Sequence, residues 1–198
     1  MRQLTVVGLL FAVLILPATA QIGPAELQSA PGLPAPNTAN RQDKLFAQLI
    51  AANYLAAVEF GKMASAKAHR NEVRQFARRL VLHQSKAIAN LERLAKQAEI
   101  PISENLGPVD VVIKQQLESL SGSAFDLAYV RDQLFTRHMA IMLLESQVRQ
   151  GQDGAMQKLA AEFLPIVTTH LRMARELMDE LAGVAIRVGA PENSHTLR

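Results

Sequence analysis

Five ionisable residues stand where a helical pattern asks for apolar ones: Glu59, His83, His138, Glu145 and His170. Imidazole nitrogens with carboxylate oxygens form a donor set suited to a transition metal such as Fe, Mn, Zn, Ni or Cu, and two carboxylates would neutralise one divalent cation. His138 and Glu145 are seven residues apart, two helical turns, and therefore share a face. An ionised carboxylate left unpaired in an apolar interior is strongly unfavourable, so something must compensate it. Three arrangements would do so. One is a metal ion held by these five side chains. Another is a pair of buried Glu–His contacts, Glu59 with His83 and Glu145 with His170 or His138, fixing helix register without metal. The third places the Glu residues at the stripe edges, in water. Residue type favours the metal, but spacing alone leaves all three open.

The remaining polar candidates carry less. His69 falls in an inter-helix turn and His195 in the C-terminal tail. Met63, Met139, Met142, Met156, Met173 and Met178 follow helical spacing, which reads as core filler before it reads as soft-metal ligation. Arg74, Arg78 and Arg79, joined by Lys67 and Arg70, read as a solvated face, since stacking aromatics for nucleic acid are missing beside them. No G-x-S-x-G, Walker loop or G-x-G-x-x-G occurs, so neither a catalytic residue nor an organic cofactor site is assigned.

The elements that must position the five residues are helices. The chain has 198 residues, 49% of them hydrophobic, with no Cys to form disulfides or thiolate sites. Apolar periodicity predicts long helices over Asp43–Ala68, Asn71–Ala98, Ser123–Gln150 and Ala155–Ala182, and a short crossing helix over Val109–Leu120. The stripes read Leu45, Leu49, Ala52, Ala56, Glu59, Met63 and Ala66 on the first helix, and Val73, Phe76, Leu80, His83 and Ala87 on the second. On the third they read Leu127, Leu134, His138, Ile141, Glu145 and Val148. On the fourth they read Met156, Ala160, Phe163, Val167, His170, Ala174, Leu177 and Leu181. Pro165 lies inside this last helix and removes a backbone donor there. Two short turns and one long connection give an all-α, four-helix bundle with a crossover between helices two and three. Glu59 precedes His83 by 24 positions and Glu145 precedes His170 by 25, while Phe76 and Phe163 each stand seven before the His, which suggests an internal duplication.

The ends read as address and tether. Met1–Gln3 carries one positive charge, Leu4–Leu16 is almost wholly apolar, and Ala18-Thr19-Ala20 gives a small-residue cleavage pattern, so residues 1–20 are expected to be a secretory signal peptide. The apolar run is too short to span a bilayer, which takes about 20 residues. Residues 21–41, with four Pro and two Gly before Asn40, read as a flexible linker. Residues 42–182 form the bundle, and 183–198 are expected to be a loose tail. The formal charge of +3 becomes +2 without Arg2, too weak a balance to imply a polyanionic partner. The expectation is an exported, periplasmic protein with no span in its mature part, no nucleic-acid partner, and peripheral contact with the envelope or outer membrane as the remaining partner class.

Glu59-Phe60-Gly61-Lys62-Met63-Ala64 and Val73-Arg74-Gln75-Phe76-Ala77 running to His83 resemble the first half of an exported bacterial family of unknown function. Phe125-Asp126-Leu127-Ala128-Tyr129 followed by His138, and Leu164-Pro165-Ile166-Val167-Thr168-Thr169-His170, resemble its second half. Members are often labelled predicted outer-membrane proteins. The resemblance covers about Gln42 to Leu181 and implies a ferritin-like bundle and export, with no established reaction. Di-iron bundles of that type use Glu-x-x-His on two helices. Here Leu80 and Val167 stand three residues before His83 and His170, so that centre lacks both bridging carboxylates. The functional expectation is a bundle binding a transition metal in its core. The alternative is a non-catalytic envelope or stress-related interaction protein whose buried Glu and His form a structural polar network.

Overall fold

Asn40 begins the first helix. Its side chain accepts from Asp43 N at 2.9 Å while the Asp43 carboxylate accepts from Asn40 N at 2.7 Å, the reciprocal box that satisfies two otherwise orphaned donors. The computed structural model describes residues 38–189 and contains five helices and no strands among them. They are α1 (Arg41–Lys67), α2 (Asn71–Gln97), α3 (Pro108–Ser119), α4 (Gly122–Gln150) and α5 (Gly154–Gly189). The expected signal peptide, most of the expected linker and His195 lie outside the described residues. α5 runs to Gly189, beyond the Ala182 at which its sequence pattern ends; no proline interrupts the chain there until Pro191.

The four long helices pack as a ring of pairs, α1 on α2, α2 on α5, α5 on α4 and α4 on α1. Cross-links fix the directions. Gln42 bonds Ser146 and Asn53 bonds the Thr136 carbonyl, so α1 and α4 run antiparallel. Arg70 pairs with Glu180 and His83 with His170, so α2 and α5 do too. With α1 and α2 joined by a three-residue turn, the connection from α2 to α4 must travel the length of the molecule. α3 lies on that path, its Leu117 buried against α1, α2 and α4 residues of one apolar cluster. Lys67 ties it down by donating to the Leu117 and Glu118 carbonyls at the C-terminal end of α3. At one point α1 and α2 approach so closely that a Cβ on Gly61 would sit 2.7 Å from Val81 Cγ2 and displace that side chain. No helix among the described residues is long and apolar enough to cross a membrane.

The interior departs from the expected stripes on two helices and follows them on the other two. On α2 and α5 the residues read from periodicity are buried, among them Val73, Phe76, Leu80, Ala87, Met156, Ala160, Phe163, Val167 and Ala174. On α1, Leu45 and Leu49 are 44% and 51% exposed, and the core face is Phe46, Ile50, Tyr54, Ala57, Phe60 and Ala64, about one residue round. On α4 the buried face is Phe125, Tyr129, Val130, Gln133, Arg137, Ala140, Leu144 and Gln147 instead of the stripe through His138. The reason is chemical: the inward faces of α1 and α4 hold Asp43, Asp126, Gln133, Arg137 and Gln147, all fully buried, so hydrophobicity alone misreads their rotation.

Two of those residues work as internal caps. Asp43, on α1, accepts from Gln147 Nε2 of α4 and from the backbone N–H groups of Gln152 and Asp153 ahead of α5. Asp126, on α4, accepts from His69 N and Arg70 N, both at 2.8 Å, ahead of α2. Although it stands in the first turns of α4, Asp126 caps the α1–α2 turn. The two aspartates are equivalent positions of the two halves, each anchoring the turn of the other pair. Ala at either position would strand several donors at once, so Asp43→Ala and Asp126→Ala should each lower unfolding free energy by about 2–4 kcal/mol in urea melts, against less than about 1 kcal/mol for Glu145→Ala on the surface.

Candidate functional site: a polar layer around two histidines

The buried stripes of α2 and α5 carry one histidine each, and the antiparallel packing of these helices brings them together. His83 Nδ1 lies 2.8 Å from His170 Nε2, with the rings stacked at 5.0 Å between centroids and 20° between planes. His170 is 1% exposed and His83 half-buried. One proton lies between two neutral rings, one nitrogen donating and the other accepting, while His170 Nδ1 has no protein partner. Burial, then the charge of Arg137, then His83 and Arg79, drive the His170 pKa down to about 3. His83 is also lowered, by burial and by Arg79 and Lys86. Both rings are neutral at physiological pH.

Around this pair each long helix contributes polar groups that divide two apolar clusters, one containing Phe46, Leu91, Leu144 and Phe163, the other Phe60, Leu80, Phe125 and Leu177. α1 supplies Asn53 and Tyr54, α2 supplies Gln84 beside His83, and α4 supplies Gln133 and Arg137. Arg137 is fully buried and its Nη2 donates to Asn53 Oδ1 at 3.1 Å. The Tyr54 and Tyr129 hydroxyls and the Gln84 amide are buried without a protein partner, and burial holds both phenols well above their ordinary pKa. The Tyr129 hydroxyl thus meets no carboxylate or imidazole, and its ring packs on Phe125 and against Phe76. Asp132, at the layer's edge, is raised to about 6 chiefly by burial, although Arg137 opposes the shift.

The other three metal candidates lie elsewhere. Glu59 is half-buried at the side of α1 and pairs with Lys62 at 3.1 Å. Glu145 is half-exposed and pairs with Arg149 at 3.5 Å. His138 is exposed: its Nδ1–H donates to the Leu134 carbonyl at 2.8 Å, leaving Nε2 to accept from Arg175 Nη2 at 2.8 Å. The structure brings together His83 and His170 alone of the five. Among the described residues no three His, Asp or Glu side chains are grouped to hold one metal ion. His69 is exposed in the turn, as expected for that position. Part of the basic cluster is structural, with Arg74 donating to the Ala68 and His69 carbonyls at the end of α1. Periodicity missed Asn53, Gln133 and Arg137 because they are polar. A partial signal was aromatic, since Phe46, Tyr54, Phe60, Phe125 and Tyr129 mark the true buried faces while Phe135 on α4 lies exposed.

Comparison with known proteins adds a family and a fold. A family model described as "Domain of unknown function (DUF4142)" matches residues 28–177. A crystal structure of a DUF305 fragment from Deinococcus radiodurans superposes with a TM-score of 0.64, covering 72% of this chain and 99% of that one at 14% identity. No curated protein matches the chain.

The pair of shifts at this site sets a pH profile. His170 binds its proton less readily folded than unfolded, so its contribution is complete above about pH 6.5 and is lost as pH falls toward 3, by up to about 1.4 kcal/mol per pH unit for one proton. Asp132 has the opposite sign: its raised pKa favours the folded state below about 4 and that contribution fades as pH rises through 6. The two offset one another between about pH 4 and 6. Asp132→Asn should therefore steepen the acid loss of stability over that interval relative to wild type, and His170→Asn should flatten it, as read from unfolding midpoints across a pH series.

Proposed function

The chain belongs to the DUF4142 family of unknown function, and we propose that it is a non-catalytic helical scaffold of the envelope, a ferritin-like four-helix bundle whose interior polar layer fixes helix register. The observation that carries this reading is the direct His83–His170 bond, which joins α2 to α5 where the two halves meet. A buried hydrogen bond between neutral groups contributes about 0.5–1.5 kcal/mol net and penalises sliding, because a slipped register leaves both nitrogens unpaired. The ring of antiparallel pairs and the long α2–α4 connection support the bundle form. The apolar run and Ala-x-Ala pattern before Gln21 support export, with function carried by the outer faces toward envelope components.

A second reading keeps the transition metal. Two neutral imidazole nitrogens face each other inside the protein, the right chemistry for Fe, Zn, Ni or Cu, but they are two donors where such ions ordinarily take three or four from protein. Glu59, His138 and Glu145 are engaged in other contacts.

One experiment separates the readings. In chelator-treated protein starting at Gln21, a double-mutant cycle of His83→Leu and His170→Leu should return a coupling of about 0.5–1.5 kcal/mol, with the double variant folded. Wild-type melting should not shift on adding Fe, Mn, Zn, Ni or Cu in turn. Stoichiometric retention of one of these ions, lost in His83→Ala and His170→Ala and kept in His69→Ala, would replace the scaffold reading with the metal one.

A further inference from the structure

Arg137 is the largest fully buried side chain among the described residues, and it is a permanent cation. Its surroundings balance it only in part, through the charge of Asp132 acting at a distance. Nη2 donates to the neutral Asn53 amide, while Nε–H and the Nη1–H groups meet no protein acceptor. Among the described residues no carboxylate lies within ion-pair distance of it. The acid whose charge acts on it, Asp132, stands five residues before it on the same helix and has an oxygen bonded to Gln133 Nε2 at 2.9 Å. The phenols that feel its charge, Tyr54 and Tyr129, are held protonated by burial and supply none in return. On the remaining side stands the neutral His83–His170 pair, whose protonation the guanidinium itself disfavours. A guanidinium taken out of water without a charged acceptor in direct contact is among the costliest groups a fold can contain, and ordinary surroundings supply a touching carboxylate or a bound anion.

We propose that Arg137 is the anchor of an internal site for a small monovalent anion, a halide or compact oxyanion, held by the unpartnered Nε–H and Nη1–H groups in the layer between the two apolar clusters. One negative charge neutralises one guanidinium; a divalent anion would leave a net charge in the interior. The Tyr54 and Tyr129 hydroxyls and the Gln84 Nε2 amide group are further buried donors of the layer without a protein acceptor, and Gln84 Oε1, Gln133 Oε1 and His170 Nδ1 are buried there without a partner as well, so the layer offers an anion donors beyond the guanidinium. The anion would be built into the folded state and absent from the unfolded chain, which makes anion concentration a determinant of stability. This site uses none of the donors of the metal reading and stands or falls separately from the scaffold proposal.

The test is melting of the wild-type protein at constant ionic strength while sodium gluconate, too large for the interior, is replaced by sodium chloride or bromide. Above the dissociation constant, each tenfold rise in halide should raise the folded-to-unfolded ratio about tenfold. Arg137→Met should be insensitive to halide and should gain on wild type in halide-free buffer. Because that variant could fail to fold, wild-type crystals grown in bromide supply an independent readout, with anomalous density expected within hydrogen-bond distance of Arg137 Nε or Nη1. Melting that ignores halide, a halide dependence that persists in Arg137→Met, or bromide crystals without density at Arg137 would each overturn the site and leave Arg137 solvated by water.

Discussion

The fold is organised by a single constraint: polar groups buried in the middle of four helices have to find one another. His83 meets His170, Arg137 meets Asn53, and around them the interior is divided into two apolar clusters. An apolar interior tolerates small rotations and slips of a helix at modest cost, whereas a layer of hydrogen-bonding groups does not, since each displaced donor or acceptor loses its partner in a low-dielectric setting. The layer therefore specifies register more than it adds net stability. That same setting holds the two imidazoles neutral and the phenols protonated.

The two aspartates apply this logic at the ends. Asp43 and Asp126 take backbone N–H groups from the turn of the opposite helix pair, so neither half of the chain closes its own turn unaided. Each hairpin is completed by a carboxylate from the other. The equivalence of Asp43 with Asp126 and of His83 with His170 extends the internal similarity first seen in the spacing of Phe76 and Phe163 from their histidines.

How far the site was legible follows from which helices carry it. The apolar residues of α2 and α5 are arranged at unbroken helical intervals, so their buried faces, and hence His83 and His170, could be read directly. On α1 and α4 the buried face contains charged and amide residues while Leu45, Leu49, Phe135 and Met142 lie exposed. Hydrophobic periodicity there points about 100° away, the angle of one residue. Glu59, His138 and Glu145 were drawn from that rotated stripe, and in the structure they pair with Lys62, Arg175 and Arg149 at the periphery. Arg137 was invisible for the complementary reason: nothing in local sequence marks an arginine as one that tertiary packing will enclose.

By itself the sequence determined the local matters. Asn40 before Asp43 starts α1, Gly107-Pro108 and Gly151 break the chain, and long runs of helix-forming residues between them leave an all-helical reading as the consistent one, with boundaries within a residue or two of those observed except at the far end of α5. These are short-range effects, set by backbone geometry and neighbours along the chain. Which face of α1 and α4 turns inward, which two of five candidate donors meet, and which cation is stripped of water were decided only when the helices packed. Those outcomes depend on contacts between residues 80 to 110 positions apart, such as His83 with His170, and no local propensity encodes them.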